Sequence, residues 1–280
     1  MLPNSPPLVP TGLSMPHVWE NTFLAMVALP AFIAVVWAAR VWRRSGDPFY
    51  FVILVGGTVC ALLEPLVDLL GLCWYPRGAQ LQIFELMGRP IPLFAVIGYT
   101  MMFGGFTILA IEILRRRGPR SLWWVWIAAV PFMAIFELFA VYTGSYVYYG
   151  TQPLRLFGWP TWWGPVNGLV VITLAVVLTA LHPHVRGWRT LLVIPIMPAL
   201  DAAANAAAAW LVYTTNWSNV SWAVTQVSGL ATYAMSAMLV WLLVRVAEQG
   251  VPPSTAHSID RSPHTSSTTI TPNLGAIEVS

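Results

Sequence analysis

Seven long apolar stretches alternate with short polar ones along this chain, at about 20–41, 50–73, 91–114, 121–144, 162–182, 190–213 and 222–246. A helix rises about 1.5 Å per residue, so each stretch is long enough to cross a hydrocarbon core about 30 Å thick. The pattern predicts an all-α fold, a polytopic membrane helix bundle with seven transmembrane helices. It divides the chain into an N-terminal segment (1–19), a membrane domain (20–247) and a Ser-, Thr- and Pro-rich tail (248–280) that reads as disordered. The first 19 residues carry no Arg, so no charged leader marks a signal peptide.

Polar positions set the orientation. Arg40, Arg43, Arg44, Arg115, Arg116, Arg117, Arg120, Arg186, Arg189 and Arg245 all fall at one end of the predicted bundle, and Arg261 lies in the tail beyond it. Only Arg77, Arg89 and Arg155 fall at the other end. The positive-inside rule therefore places the N-terminus outside and the C-terminus in the cytoplasm of a multi-pass plasma-membrane protein. Trp19, Trp74, Trp123, Trp124, Trp159, Trp162, Trp163, Trp217 and Trp222 lie near segment ends and read as interface anchors. The outer loops, 74–90 and 145–161, are rich in aromatics, Gly, Pro and Arg, and suggest a lid over an outward-facing pocket.

Composition narrows the chemistry. The chain is 57% hydrophobic and only 9% charged, as a membrane bundle requires. All 14 basic residues are Arg, which excludes a lysine Schiff base and so a retinal protein. The net charge of +3 is spread over helix ends and is no nucleic-acid footprint. His17, His182, His184, His257 and His264 all lie outside the span interiors, so histidine-box iron and bis-histidine haem sites are not expected. No phosphate-binding glycine motif occurs, and Glu64-x-x-x-Asp68 is not a DDxxD magnesium-diphosphate motif. Neither a metal nor a cofactor is expected. Cys60 and Cys73 are too far apart along one helix to pair.

Against that background four carboxylates stand out inside the spans: Glu64, Asp68, Glu137 and Asp201. Each costs about 2.5–3.5 kcal/mol at the centre of a bilayer helix even on the lenient insertion scale. Glu64 and Asp68 share a helix face, as do Asp201 and Asn205. Tyr99, Thr100, Tyr142, Tyr146, Asn167 and Gln226 add polar groups at comparable depth. Together they predict one polar pocket open toward the outside or the outer leaflet. Pro65, Pro195 and Pro198 free backbone carbonyls nearby, an irregularity tolerated only against protein or a wet cavity. The run DAAANAAAAW gives the sixth helix a slim surface for a neighbour or ligand. Glu112, beside Arg115, Arg116 and Arg117, reads as a surface ion pair, and Tyr148 and Tyr149 as interfacial aromatics. A pair of buried carboxyl groups in different protonation states supplies a general acid and a general base without a cofactor.

The phrases LLEPLVDLLGLCWYP (62–76), GRPIPLFAVIGYTMMFGG (88–105), FELFAVYTGSYVYYG (136–150) and FGWPTWWGPVNG (157–168) occur in an order that resembles the AveC-like spirocyclase family, over about residues 20–245. The resemblance implies spiroketal formation or dehydration of a lipophilic, polyketide-like substrate. It carries no residue roles. The residues themselves suggest Glu64 or Glu137 as acid, and Asp68 and Asp201 as base or cation stabilisers. Tyr99, Tyr142, Asn167, Asn205 and Gln226 would bind substrate. Partners would be that small molecule and membrane lipid. Three other readings stay open: a terpenoid or carotenoid cyclase or hydratase, a proton-coupled transporter or lipid-binding protein, and a structural protein whose polar groups only fix packing.

Overall fold

The structure, a computed structural model, describes residues 7–250. Seven helices long and apolar enough to cross a membrane form the bundle: α1 (His17–Ser45), α2 (Phe49–Gly71), α3 (Leu93–Arg117), α4 (Pro119–Thr143), α5 (Trp163–Leu181), α6 (Gly187–Asn216) and α7 (Trp222–Gly250). The chain is a multi-pass all-α membrane protein. The last helix runs past the expected boundary at 247, because Glu248 is held at its end by Arg120 at 2.9 Å and Arg245 at 3.1 Å. The rest of the predicted tail lies outside the described residues.

α5 is the central pillar. It is apolar around its whole circumference, the signature of a buried helix, and packs against α3, α4, α6 and α7. α2 packs against α6 and against the middle of α3. The α2–α3 crossing is backbone to backbone. A Cβ on Gly57 would sit 2.4 Å from the Gly104 amide nitrogen, so only glycine fits.

Both helices are irregular where they meet. α2 tightens into a 3-10 turn at Ala61–Leu63, just before Glu64 and Pro65. α3 widens into a π-helical stretch at Thr100–Gly105. The Thr58 and Thr100 hydroxyls join the two at 2.7 Å. Proline explains the first break, and π-helical turns recur at functional sites.

At one end of the bundle three loop segments interlock. β1 (Cys73–Trp74) pairs antiparallel with β4 (Val147–Tyr148), β2 (Gln82–Leu86) with β3 (Arg89–Pro92), and β5 (Arg155–Leu156) with β6 (Trp159–Pro160). Leu72, at φ 54°, ends α2 in a left-handed turn that sends the chain into β1. The N-terminal segment joins through Ser14, which bridges Arg77, and His17, whose Nε2 is 2.9 Å from the Gly78 carbonyl. Glu20 is buried and accepts the Gln80 backbone N–H. Trp74, Trp159, Trp162 and Trp163 are buried in and under this cap, which corrects their reading as interface anchors. Trp162 and Trp163 stack on each other instead, with ring centroids 4.1 Å apart. Trp19, Trp124, Trp217 and Trp222 are exposed, as anchors should be.

Candidate functional site

Directly beneath the cap, α2, α3 and α4 enclose a cavity of about 100 Å³. Glu64 and Asp68 enter it from α2, one helical turn apart, and Glu137 enters from α4. Their partners are tyrosines. Tyr75 and Tyr99 donate to the two oxygens of Glu64 at 2.5 and 2.6 Å. Tyr148 donates to Glu137 Oε2 at 2.9 Å, and Tyr146 lies beside the same carboxyl group. Asn167 on α5 closes one wall, and its side-chain amide makes no hydrogen bond among the described residues. Phe23, Val27, Phe94 and Phe136 make the rest of the lining apolar.

Asp68 and Trp163 both line this cavity and are buried, yet Asp68 Oδ2 and Trp163 Nε1 have no protein hydrogen-bond partner. Leaving such a group unmatched typically costs about 1–3 kcal/mol. An unmatched acceptor and an unmatched donor around one cavity suit a ligand that carries oxygen.

Electrostatics in the cap favours neutral donors. Burial, reinforced by the Glu137 charge, holds the Tyr146 and Tyr148 phenols well above their usual range. Burial and the nearby Glu64 do the same to Tyr75. All three stay protonated at neutral pH and donate. Burial, with Asp68 and Glu64 close by, also pushes the Cys73 thiol up. Cys73 is therefore no thiolate nucleophile. Cys60 and Cys73 are both free thiols.

Arg89 is the one cation buried near this cluster among the described residues. It donates to the Cys73 carbonyl and to the Tyr149 hydroxyl, the latter at 2.7 Å, and its guanidinium lies 5.8 Å from the Trp74 ring centroid. No carboxylate is within ion-pair distance of it. It therefore presents an uncancelled positive charge to the acids from the cap side.

The structure separates the predicted site residues. Glu64, Asp68, Glu137, Tyr99 and Asn167 line one cavity. Asp201 does not: it is buried on α6, where Asn205 donates to its Oδ1 at 2.7 Å and Tyr213 donates to Asn205 at 3.3 Å. Asp201 and Asn205 thus form their own cluster, away from the cavity wall. Gln226 is not at the cavity either. Its Oε1 accepts the Leu154 backbone N–H at 2.9 Å and so ties α7 to the cap. Tyr142 is 93% exposed and points out of the bundle, because five residues turn it about 140° from Glu137 at 3.6 residues per turn. Tyr148 and Tyr149, read as interfacial aromatics, are buried and hydrogen-bonded in the cluster. Glu112 pairs with Arg116 at 2.9 Å as expected, and also accepts from Tyr50.

Tyr75, Arg89 and Cys73 escaped the sequence reading. One signal pointed to Arg89: it is among the few arginines placed against the prevailing charge asymmetry. Among the described residues no three His, Cys, Asp or Glu side chains are arranged to hold a metal ion. Comparisons with protein-family models, with curated proteins and with solved structures gave no match.

Proposed function

We propose that this protein is a membrane-embedded, cofactor-independent cyclase or dehydratase that forms spiroketals or removes water from a lipophilic, polyketide-like substrate. One observation carries the reading: three carboxyl groups from two helices converge on a single cavity that is otherwise aromatic and apolar. Such a site can hold a proton donor and a proton acceptor around one reacting carbon and keep bulk water away. The resemblance to AveC-like spirocyclases agrees with this chemistry. The arginine distribution supports a cap facing outward from the plasma membrane.

The geometry suggests distinct roles. Glu137 delivers a proton to the hydroxyl of a hemiketal, and water leaves. The resulting oxocarbenium ion lies near Glu64, whose oxygens are already fixed by two phenols and so serve to stabilise positive charge. A second hydroxyl of the substrate attacks the cation, and its proton passes to the open Oδ2 of Asp68. Return of that proton to Glu137 resets the site, and the net change is loss of one water. Dehydration uses the same donor and acceptor, with a carbon-bound proton lost instead.

A second reading, proton-coupled transport, draws on the interrupted α2 and α3. Broken helices beside ionisable groups are common at transporter sites. Comparative mass spectrometry of lipid extracts separates the two. Cells lacking the gene are compared with cells carrying the wild type or Glu64→Gln. A lipophilic species that accumulates in the deletion and in the variant, and exceeds its product by one water, is the expected result. An unchanged metabolite profile with altered uptake would favour transport and overturn the cyclase reading.

A further inference from the structure

The acid cavity is too small for the substrate it would act on. At about 100 Å³ it falls well below the range of about 300–1,000 Å³ typical of small-molecule sites. It has room for the reacting oxygens and the carbon between them. The remainder of any lipophilic substrate must lie elsewhere.

A second cavity adjoins it. α3 and α4 follow each other in sequence and turn tightly at Gly118 and Pro119, yet they splay apart toward the cap. The crevice between them has a volume of about 330 Å³ and is floored by α5. It runs from Ser121, at the arginine-rich end, to Met133. That is about 18 Å at a helical rise of about 1.5 Å per residue, a little more than half of a hydrocarbon core about 30 Å thick. Its walls are almost wholly apolar. Leu109 and Trp124, on its two sides, are exposed on the face that lipid would cover.

Met102, Met133 and Asn167 line the crevice and the acid cavity alike. The two spaces therefore share a wall of two unbranched, adaptable side chains and one amide with free hydrogen-bonding capacity. Methionines yield readily, so this wall can part. An amide at the junction can hold the first oxygen of a molecule whose hydrocarbon lies behind it.

We propose that the crevice seats the hydrocarbon chain of an elongated amphiphile that enters sideways from the bilayer, with its oxygenated end passing Asn167 into the acid cavity. The inference rests on the cyclase reading and gives its substrate a class: a long-chain hydroxyketone or its hemiketal, dissolved in the membrane, rather than a compact water-soluble ring. Size, shape and position favour this occupant. The crevice is long and narrow, it opens to lipid, and its only polar contact at the inner end faces the carboxylates.

The test uses the full-length protein in lipid nanodiscs and two photoreactive probes of equal length. One is a long-chain dihydroxyketone with a diazirine at its hydrocarbon terminus. The other is the same chain without oxygens. Peptide mass spectrometry should locate the dihydroxyketone label on α3 near Leu109 or on α4 between Ser121 and Ala128. Ala128→Phe, which fills the crevice from an exposed position, should weaken that labelling about tenfold or more, a loss of about 1.4 kcal/mol in binding. Leu109→Trp provides an independent block from the opposite wall. Equal labelling by the oxygen-free chain would mean that the crevice holds bulk lipid, and would overturn the proposal. So would labelling at other sites, or blocked variants that label and turn over like the wild type. The cyclase reading fails separately: crevice labelling that persists in wild type and in Glu64→Gln, with no product from either, would uphold the seat and reject the chemistry.

Discussion

Two buried carboxylate clusters lie in this bundle, and they differ in one respect. On α2 and α4, Glu64, Asp68 and Glu137 face a cavity, and their partners come from α3 and from the cap. On α6, Asp201 finds Asn205 one turn away on its own helix, and Tyr213 completes the chain eight residues from Asn205. Burial is similar in the two. A carboxylate satisfied within its own helix can be a packing device, because the helix alone determines its geometry. Carboxylates that need several chain segments around a shared space are positioned by the whole fold, and that is where substrate chemistry can occur.

The sharpest way to break this contrast is to neutralise both clusters. Glu137→Gln and Asp68→Asn should lower turnover about 10²–10⁴-fold, the usual worth of a general acid or base, while the protein still extracts and unfolds like wild type. If turnover on the identified substrate instead stayed within a few-fold, the cavity cluster would be structural too. Next in size is Arg89→Met. Hydrogen bonds from a charged donor are worth about 1.5–3 kcal/mol, so loss of the contacts to Cys73 and Tyr149 should lower the unfolding temperature and loosen the cap, seen as faster proteolysis between residues 74 and 90.

Tyr148→Phe should cost about 1 kcal/mol at neutral pH, as for one neutral hydrogen bond. It should also change the alkaline limb. The phenol is held above its ordinary value in the folded protein. Its contribution is therefore complete below about pH 10, where the unfolded chain also keeps its proton, and declines as pH rises further. Denaturation between neutral pH and about pH 11 should show a shallower alkaline loss in Tyr148→Phe than in wild type. The smallest effect belongs to the other cluster. Asp201→Asn keeps the size of the side chain and a polar partner for Asn205, so turnover should stay within about threefold, less than 1 kcal/mol. A large loss there would return Asp201 to the chemistry.

The spans were legible because length and apolarity are properties of a stretch, and each helix begins and ends within a few residues of its expected bounds. The participation of Glu64, Asp68, Glu137, Tyr99 and Asn167 in a single site was legible from depth. Depth is only one coordinate, however, and rotation about each helix axis decides the rest. Tyr142 had the right depth and the wrong face. Asp201 had the right depth on a helix that turns it away from the cavity. Tyr75, Arg89 and Tyr148 lay in loops whose path depends on pairing between residues 73–74 and 147–148, a contact no local pattern announces.

The spacing of hydrogen-bond partners along the chain has a consequence for how the protein is made. Glu64 finds Tyr75 eleven residues later and Tyr99 thirty-five residues later, and Glu137 finds Tyr148 eleven residues later. Each acid therefore enters the membrane ahead of the groups that will neutralise its exposure, and each is relieved by the next segment to leave the ribosome. Insertion as successive helical hairpins, α2 with α3 and then α4 with the loop behind it, keeps the period of unpaired acid short. A carboxylate whose partner lay several spans downstream would wait much longer in lipid.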